Sequence, residues 1–332
     1  MLSFLIPSLS FRLIIAFSLS LILSLLTGKI CIKIFKNIKF VDYVREDAPY
    51  SHSQKRGIPT AGGVFIIFSF LISFLLFVNL ANRWLIVALI VTLYLGILGF
   101  LDDWIKISKK SSRGLKIRYK LGLQFIFSFF IALYLYFSLE FNTQLFIPFT
   151  KVKLDIGWGY IPLIMAVIMG TSNSVNLTDG LDGLAVGCII PAAFVYIVLA
   201  YLTYIPGGKE LAIFLAICVG AGFGFLWYNH YPAKIFMGET GAEALGGALA
   251  ISSILIKREL LLVLVGGVFV IEALSVFLQV ASFQIRGKRI FKMSPLHHHY
   301  ELKGMKESDI VIRFWIVSIL LAVSGLIIGL FG

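Results

Sequence analysis

Two adjacent aspartates, Asp102 and Asp103, close an apolar run in LGFLDDWIKISKK, residues 98 to 110. Asp179 and Asp182 lie in NSVNLTDGLDGLA, with Asn176 three positions before the first of them, and Glu239 follows Gly238 in IFMGETGAEALGG. Carboxylate oxygens are hard ligands of the kind magnesium takes, and magnesium often bridges substrate phosphates. Phosphate-holding groups recur beside them: Lys106 one turn after Asp102, Lys55 and Thr60 in KRGIPTAGG, and His297, His298 and His299 in SPLHHHYELKG. Histidine donates hydrogen bonds to phosphate oxygens, and a glycine-flanked helix start at 238–241 suits a cation or a phosphate. This is equipment for phosphoryl transfer, in which carboxylates hold a divalent metal and cationic donors neutralise charge as a diphosphate bond breaks. A phosphate nucleophile is mostly ionised near neutral pH, so positioning and electrostatics carry most of the work.

Each stretch also has a plainer account. Asp102 and Asp103 could mark a wet helix end beside Lys106, Lys109 and Lys110; being adjacent, they point ~100° apart, so one at most aims squarely at a ligand. NLTDGLDGLA could be a tight polar hairpin, Glu239 a first-turn acid complementing a helix dipole, and KRGIPTAGG a topological basic loop. Three consecutive histidines without further ligands at defined spacings do not make a structural zinc site, and a solvated loop would account for them. What favours chemistry is that all of these groups fall on one face of a membrane protein.

That face follows from the elements that must position it. The chain is 59% hydrophobic and only 14% charged, against roughly 25% charge in soluble domains. Ten apolar segments stand out, at 4–28, 61–80, 85–101, 119–139, 161–178, 185–205, 210–228, 240–256, 260–283 and 310–331. Most reach the ~17–25 residues that a spanning helix needs. The sequence therefore predicts an all-α polytopic membrane protein, one domain over 1–332, with ten transmembrane helices and a small hairpin near 140–160. The first segment is too long for a signal-peptide core and lacks a small-residue cleavage site, so it reads as a permanent helix. Of the 29 lysines and arginines, 22 fall near the loops after odd-numbered segments, which places those loops in the cytoplasm and both termini outside, on the periplasmic side. The net charge of +12 reflects this bias and favours anionic headgroups and substrates rather than nucleic acid. The five acids fall on the same cytoplasmic side, although the orientation used only basic residues. Cys31, Cys188 and Cys218 have no metal-ligand spacing and read as small buried hydrophobes. Glu272, with Gln279 below it, sits inside the ninth segment, where an acid is a functional candidate or an interhelix structural group.

The motifs GIPTAGG, LGFLDDWIK, NLTDGLDGLA, WYNHYPAKIFMG and LQVASFQIRGKRIFKMSPLHHHYELKG together resemble the polyprenyl-phosphate N-acetylhexosamine-1-phosphate transferases. HHHYE is similar to the loop of one branch, the bacterial phospho-N-acetylmuramoyl-pentapeptide-transferases. The resemblance implies transfer of phospho-N-acetylmuramoyl-pentapeptide from UDP to undecaprenyl phosphate, giving lipid I and UMP, with Mg2+ as cofactor, at the inner membrane in peptidoglycan synthesis. It implies a homodimer as well. By matching motifs, Asp102, Asp103, Asp179, Glu239 and His298 are the catalytic candidates. Glu239 is the expected metal ligand, with Asp102, Asp103 or Asp179 as further candidates. Lys106 would meet the diphosphate; Asn176 and Asp182 would line the nucleotide-sugar cleft; Asn229 and Phe236 would lie near the uridine. Lys55, Thr60, His297 and His299 would border the same cleft. One departure is visible: the family's FMGDTGSLALGG reads FMGETGAEALGG here, so glutamate replaces the expected metal-binding aspartate and Glu243 adds an acid one turn later. Two rivals remain, a sister enzyme moving GlcNAc-1-phosphate and a secondary transporter. Transporters place polar sites near the midplane, often with inverted repeats, and neither feature is evident.

Overall fold

The computed structural model describes residues 8–41, 55, 57–138, 142–150, 152–202 and 207–331. Arg56 of KRGIPTAGG, and Lys151 and residues 140 and 141 near the expected hairpin, lie outside them. A chain this apolar must satisfy its backbone polar groups internally, which favours helices, and 75% of the structure is helical. In chain order the helices are α1 (Leu9–Asn37), α2 (Gly63–Phe77), α3 (Arg83–Ser108), α4 (Ile117–Phe137), α5 (Tyr160–Thr178), α6 (Leu184–Leu202) and α7 (Gly208–Asn229). They continue with α8 (Gly238–Leu255), α9 (Leu261–Val265), α10 (Gly267–Arg286), α11 (Leu296–Glu301) and α12 (Glu307–Phe331). Among the described residues eight helices, α1, α3 to α7, α10 and α12, are long and apolar enough to cross a membrane. The expected hairpin is present as β1 (Gln144–Phe146) and β2 (Lys153–Asp155), antiparallel, with Leu145 opposite Leu154.

Three elements differ from the sequence reading. The apolar segment 85–101 is the inner part of a longer helix that runs on through Asp102, Asp103 and Lys106 to Ser108. Asp102 and Lys106 pair across one turn at 2.7 Å, and both aspartates are buried, so the helix need not end where the apolar run does. The ninth segment is broken at Gly266 into α9 and α10. The acids are divided between helix and turn: Asp102, Asp103 and Glu239 belong to helices, while Asp179, the C-cap of α5, and Asp182 lie in the turn that follows it. The threefold spacing of Asn176, Asp179 and Asp182 stays helical only for its first step.

At the centre stands α8, with every residue from Thr240 to Leu255 buried. Its glycines, alanines and serines let neighbours approach closely, as in membrane helix packing generally. α1 shows the same logic on one stripe. Arg12, Ala16, Ser20, Ser24 and Gly28, four apart, are its buried residues. Ser20 and Ser24 donate to the carbonyls of Ile217 and Ala221 on α7 at 2.8 and 2.9 Å, and Arg12 pairs with Glu210. A side chain at Gly220 would overlap the Phe17 carbonyl oxygen. Ser20→Ala and Ser24→Ala should each cost about 0.6 kcal/mol. Gly220→Val, which forces the helices apart, should cost about 1–3 kcal/mol. Unfolding midpoints in mixed detergent check this order.

Candidate active site

The ends of α3, α5, α7 and α10 and the starts of α2, α4, α6, α8 and α12 converge at one end of the bundle, and the predicted groups lie there in three connected constellations. The first is built on α3 and α8. Asp103 accepts hydrogen bonds from the Glu239 N–H (3.2 Å), the Thr240 N–H (3.0 Å) and the Thr240 hydroxyl (2.7 Å). It therefore caps α8, satisfying amide donors left orphaned at a helix start. Gly238 precedes this cap with φ of +72°, and a Cβ there would lie 2.5 Å from Asp103 Oδ2. Only glycine fits. Asp102 turns the other way: Oδ1 accepts from the Leu115 N–H at 2.6 Å, and Oδ2 lies 2.7 Å from Lys106 Nζ. That second oxygen is buried and makes no hydrogen bond of good geometry.

Lys106 also donates to Glu239, so its ammonium bridges the two carboxylates. Lys120 of α4 reaches the other oxygen of Glu239 and pairs with Glu243. Glu243 in turn accepts from Gln124 at 3.1 Å, and Gln124 accepts from Asn173 at 2.7 Å. The result is an alternating array of Asp102, Lys106, Glu239, Lys120 and Glu243 drawn from three helices. Lone charges here would be costly, and pairing is what a low-dielectric setting demands.

The second constellation surrounds Asp182. Its carboxylate accepts from Lys55 at 2.6 Å and from the Ala233 N–H at 2.9 Å. Glu307, at the start of α12, accepts from Lys55 at 2.5 Å and from the Asp182 N–H at 2.8 Å. Burial alone would lower the Lys55 ammonium, but Asp182 and Glu307 outweigh it and hold the pKa above its ordinary value. The ammonium also lies 5.9 Å over the Phe236 ring. Asn229 is buried; it accepts from the Gly183 N–H at 3.0 Å and donates to the Ile235 carbonyl at 2.9 Å. It ties the aspartate turn to the stretch before α8. The two constellations are joined by backbone: Phe236 N–H donates to Pro59, Gly62 N–H to Phe236, and Gly63 N–H to Met237, at 2.8–2.9 Å. Thr60, in this strip, is buried.

The third constellation is the histidine stretch, which forms the short helix α11. His297 is fully buried, and a Cβ on Gly180 of the aspartate turn would overlap its Nε2. His298 Nδ1 lies 2.7 Å from Glu301 and is partly exposed. His299 Nδ1 accepts from the Lys292 N–H at 3.0 Å. Burial, then Lys303 and Lys292, push its imidazole below the usual range. With Nδ1 accepting, the ring proton is on Nε2. Asn176 and Asp179 are partly buried at the end of α5.

These positions can be set beside known proteins. A family model described as glycosyl transferase family 4 matches residues 85–257, from the first turn of α3 to just past α8. The phospho-N-acetylmuramoyl-pentapeptide-transferase of Citrifermentans bemidjiense is 44% identical over 327 residues, covering 95% of this chain and 91% of that protein. Proteins of the same name from Syntrophus aciditrophicus and Desulfotalea psychrophila are 46% and 47% identical, over 94% and 90% of this chain and 91% and 88% of theirs. The chain belongs to glycosyl transferase family 4, in this branch. Against the family's FMGDTGSLALGG, the two substituted acids now have visible partners. Glu239 is gripped by both lysines, and Glu243 is the second counter-ion of Lys120.

Lys120, Gln124, Asn173 and Glu307 are site residues that the motifs did not single out. Lys120 in RYKLGLQF had a signal, a lysine one turn inside an apolar helix; among the basic residues it counted only toward topology. Glu307 had none beyond being an acid at the start of a span. Lys120→Met should destabilise the protein by about 3–5 kcal/mol, because it strands two carboxylates. Lys120→Met with Glu243→Leu should recover a large part, since an apolar pair replaces an ionic one. Thermal unfolding of the two variants in detergent measures the difference.

Proposed function

We propose that the protein transfers phospho-N-acetylmuramoyl-pentapeptide from its UDP carrier to undecaprenyl phosphate, releasing UMP and forming lipid I, at the cytoplasmic face of the bacterial inner membrane. Ten spans, counting the shorter α2 and α8, would put both termini on the periplasmic side. The relatives' names support the reaction class, and the lysine-bridged carboxylate array is the observation that carries it. In the reaction a phosphate oxygen of the lipid attacks the β-phosphorus of the UDP-sugar. A new diphosphate forms, the old P–O–P bond breaks, and UMP leaves with the electron pair. Lys106 uses two of its three donors on Asp102 and Glu239, and the third is available to the diphosphate. Asp102, whose Oδ2 faces the Lys106 ammonium, is the group placed to orient the lipid phosphate or take a residual proton. Asp103 is committed to capping α8 and acts by position.

The donors fit magnesium. All are carboxylate oxygens, and Asp102 and Glu239 meet at the one Lys106 ammonium, so the two carboxylates already lie close together. Among the described residues no three ligand side chains are already gathered, which suits an ion that takes one or two carboxylates and completes its shell with substrate phosphates and water. Asp102 and Glu239 would hold it, and bound there it would neutralise charge on the breaking diphosphate.

In detergent, UMP release from UDP-N-acetylmuramoyl-pentapeptide should require polyprenyl phosphate and fall at least about a hundredfold in Asp102→Asn. Turnover of UDP-GlcNAc instead would select the sister reaction, and uptake without UMP would select a transporter. Glu239→Asp should shift the magnesium titration and Glu239→Ala should abolish saturation. Identical curves for wild type and Glu239→Ala would remove this residue from the metal site.

A further inference from the structure

Glu272 lies in the apolar run GVFVIEALSVFLQV and is wholly buried. A charged group inside a span costs about 2.5–3.5 kcal/mol on insertion scales and calls for partners within the protein. Both oxygens are used. Oε2 accepts from the Leu296 N–H at 2.6 Å and Oε1 from the His297 N–H at 3.2 Å. These are first-turn amides of α11, whose own flanking residue, Pro295, supplies no side-chain cap. Glu272 thus caps the histidine helix from another element. Oε1 is also 3.3 Å from His297 Nδ1. Seven residues on, along the same face of α10, Gln279 accepts from the Ile290 and Phe291 N–H groups at 3.0 and 2.9 Å. Its amide donates to the Phe291 carbonyl at 2.9 Å. The inner face of α10 therefore holds the stretch leading into the histidines at two places, 290–291 and 296–297.

The held segment is itself seated on the aspartate turn. His297 packs against Gly180, between Asp179 and Asp182, and its ring centroid lies 4.2 Å from that of His298. A shift of α11 must therefore move His298 and His299 relative to that turn.

We propose that Glu272 is a positioning residue for the active site: from within the membrane span it fixes α11, and through α11 the distance of His298 and His299 from the Asp179–Asp182 turn. This rests on the phosphoryl-transfer reading of the site. A carboxylate suits the task because it offers two acceptors and no donor. Glutamine in its place turns an NH2 toward one of the two amides, and alanine leaves both unpaired. Misplacement by about 1 Å is enough to cost on the order of a hundredfold in rate.

The test has an arm independent of turnover. In hydrogen exchange on the detergent-solubilised full chain, peptides covering 287–301 should exchange at least about tenfold faster in Glu272→Gln than in wild type, with peptides from α5 and α7 unchanged. In the lipid I assay Glu272→Gln should lose about tenfold to a hundredfold in kcat. In a His298→Ala background it should lose less than about threefold further, because the helix then has little left to position. Unchanged exchange over 287–301, loosening spread across all spans, or full losses that multiply in the double variant would each overturn the proposal. If Glu272→Ala fails to fold, the near-isosteric Glu272→Gln still decides it. Absence of any wild-type turnover would instead overturn the functional reading, and exchange alone would then decide whether Glu272 holds α11.

Discussion

Lys106 and Lys120 stand between three carboxylates at the end of a helical bundle, and the surrounding structure is arranged so that these five charges have one another. An ion with little access to water must find its counter-charge in the protein or give up its charge. Here the counter-charges come from α3, α4 and α8, so the three helices cannot move independently without separating them. The close contact of α8 with its neighbours has the same origin. Glycines at 63, 99 and 238 admit the backbone approach that brings Glu239 to the lysines.

Much of this was legible in the chain. The all-α membrane architecture follows from composition, because a bilayer enforces it, although eight helices among the described residues are long and apolar enough to span where ten segments were read. The hairpin and the gathering of acids and histidines at one end were legible as well. Less legible was how the acids divide their labour. Asp102 and Asp103 are neighbours in sequence, yet the first faces Lys106 and the second is consumed by three donors at the start of α8. Nothing in the letters DD distinguishes them; the difference comes from the ~100° between successive helical side chains and from which helix lies on each side. Lys120 and Glu307 were hidden for a related reason. Their significance is a matter of partners more than a hundred residues away, and a lysine near a helix start otherwise looks like topology.

Two of the three substitutions in the α8 motif, those that place acids at 239 and 243, also gain a physical reading from their setting. A longer acid at 239 alone would leave Lys120 with a single partner. Glu243 stands one turn on, completely buried, and gives that ammonium a second carboxylate while Gln124 occupies its remaining oxygen. With both acids in place, Lys120 has two carboxylate partners from successive turns of α8.

The clasp of Lys55, Asp182 and Glu307 joins stretches from near the beginning, the middle and the end of the chain. Chains are made from the N-terminus onward, so most spans are threaded into the bilayer before the third member of this clasp has been synthesised. Until then Lys55 and Asp182 lack the carboxylate that joins them to the last helix. The clasp can close only once the start of the last helix has been made, so assembly of that end of the bundle becomes one of the final events of biogenesis.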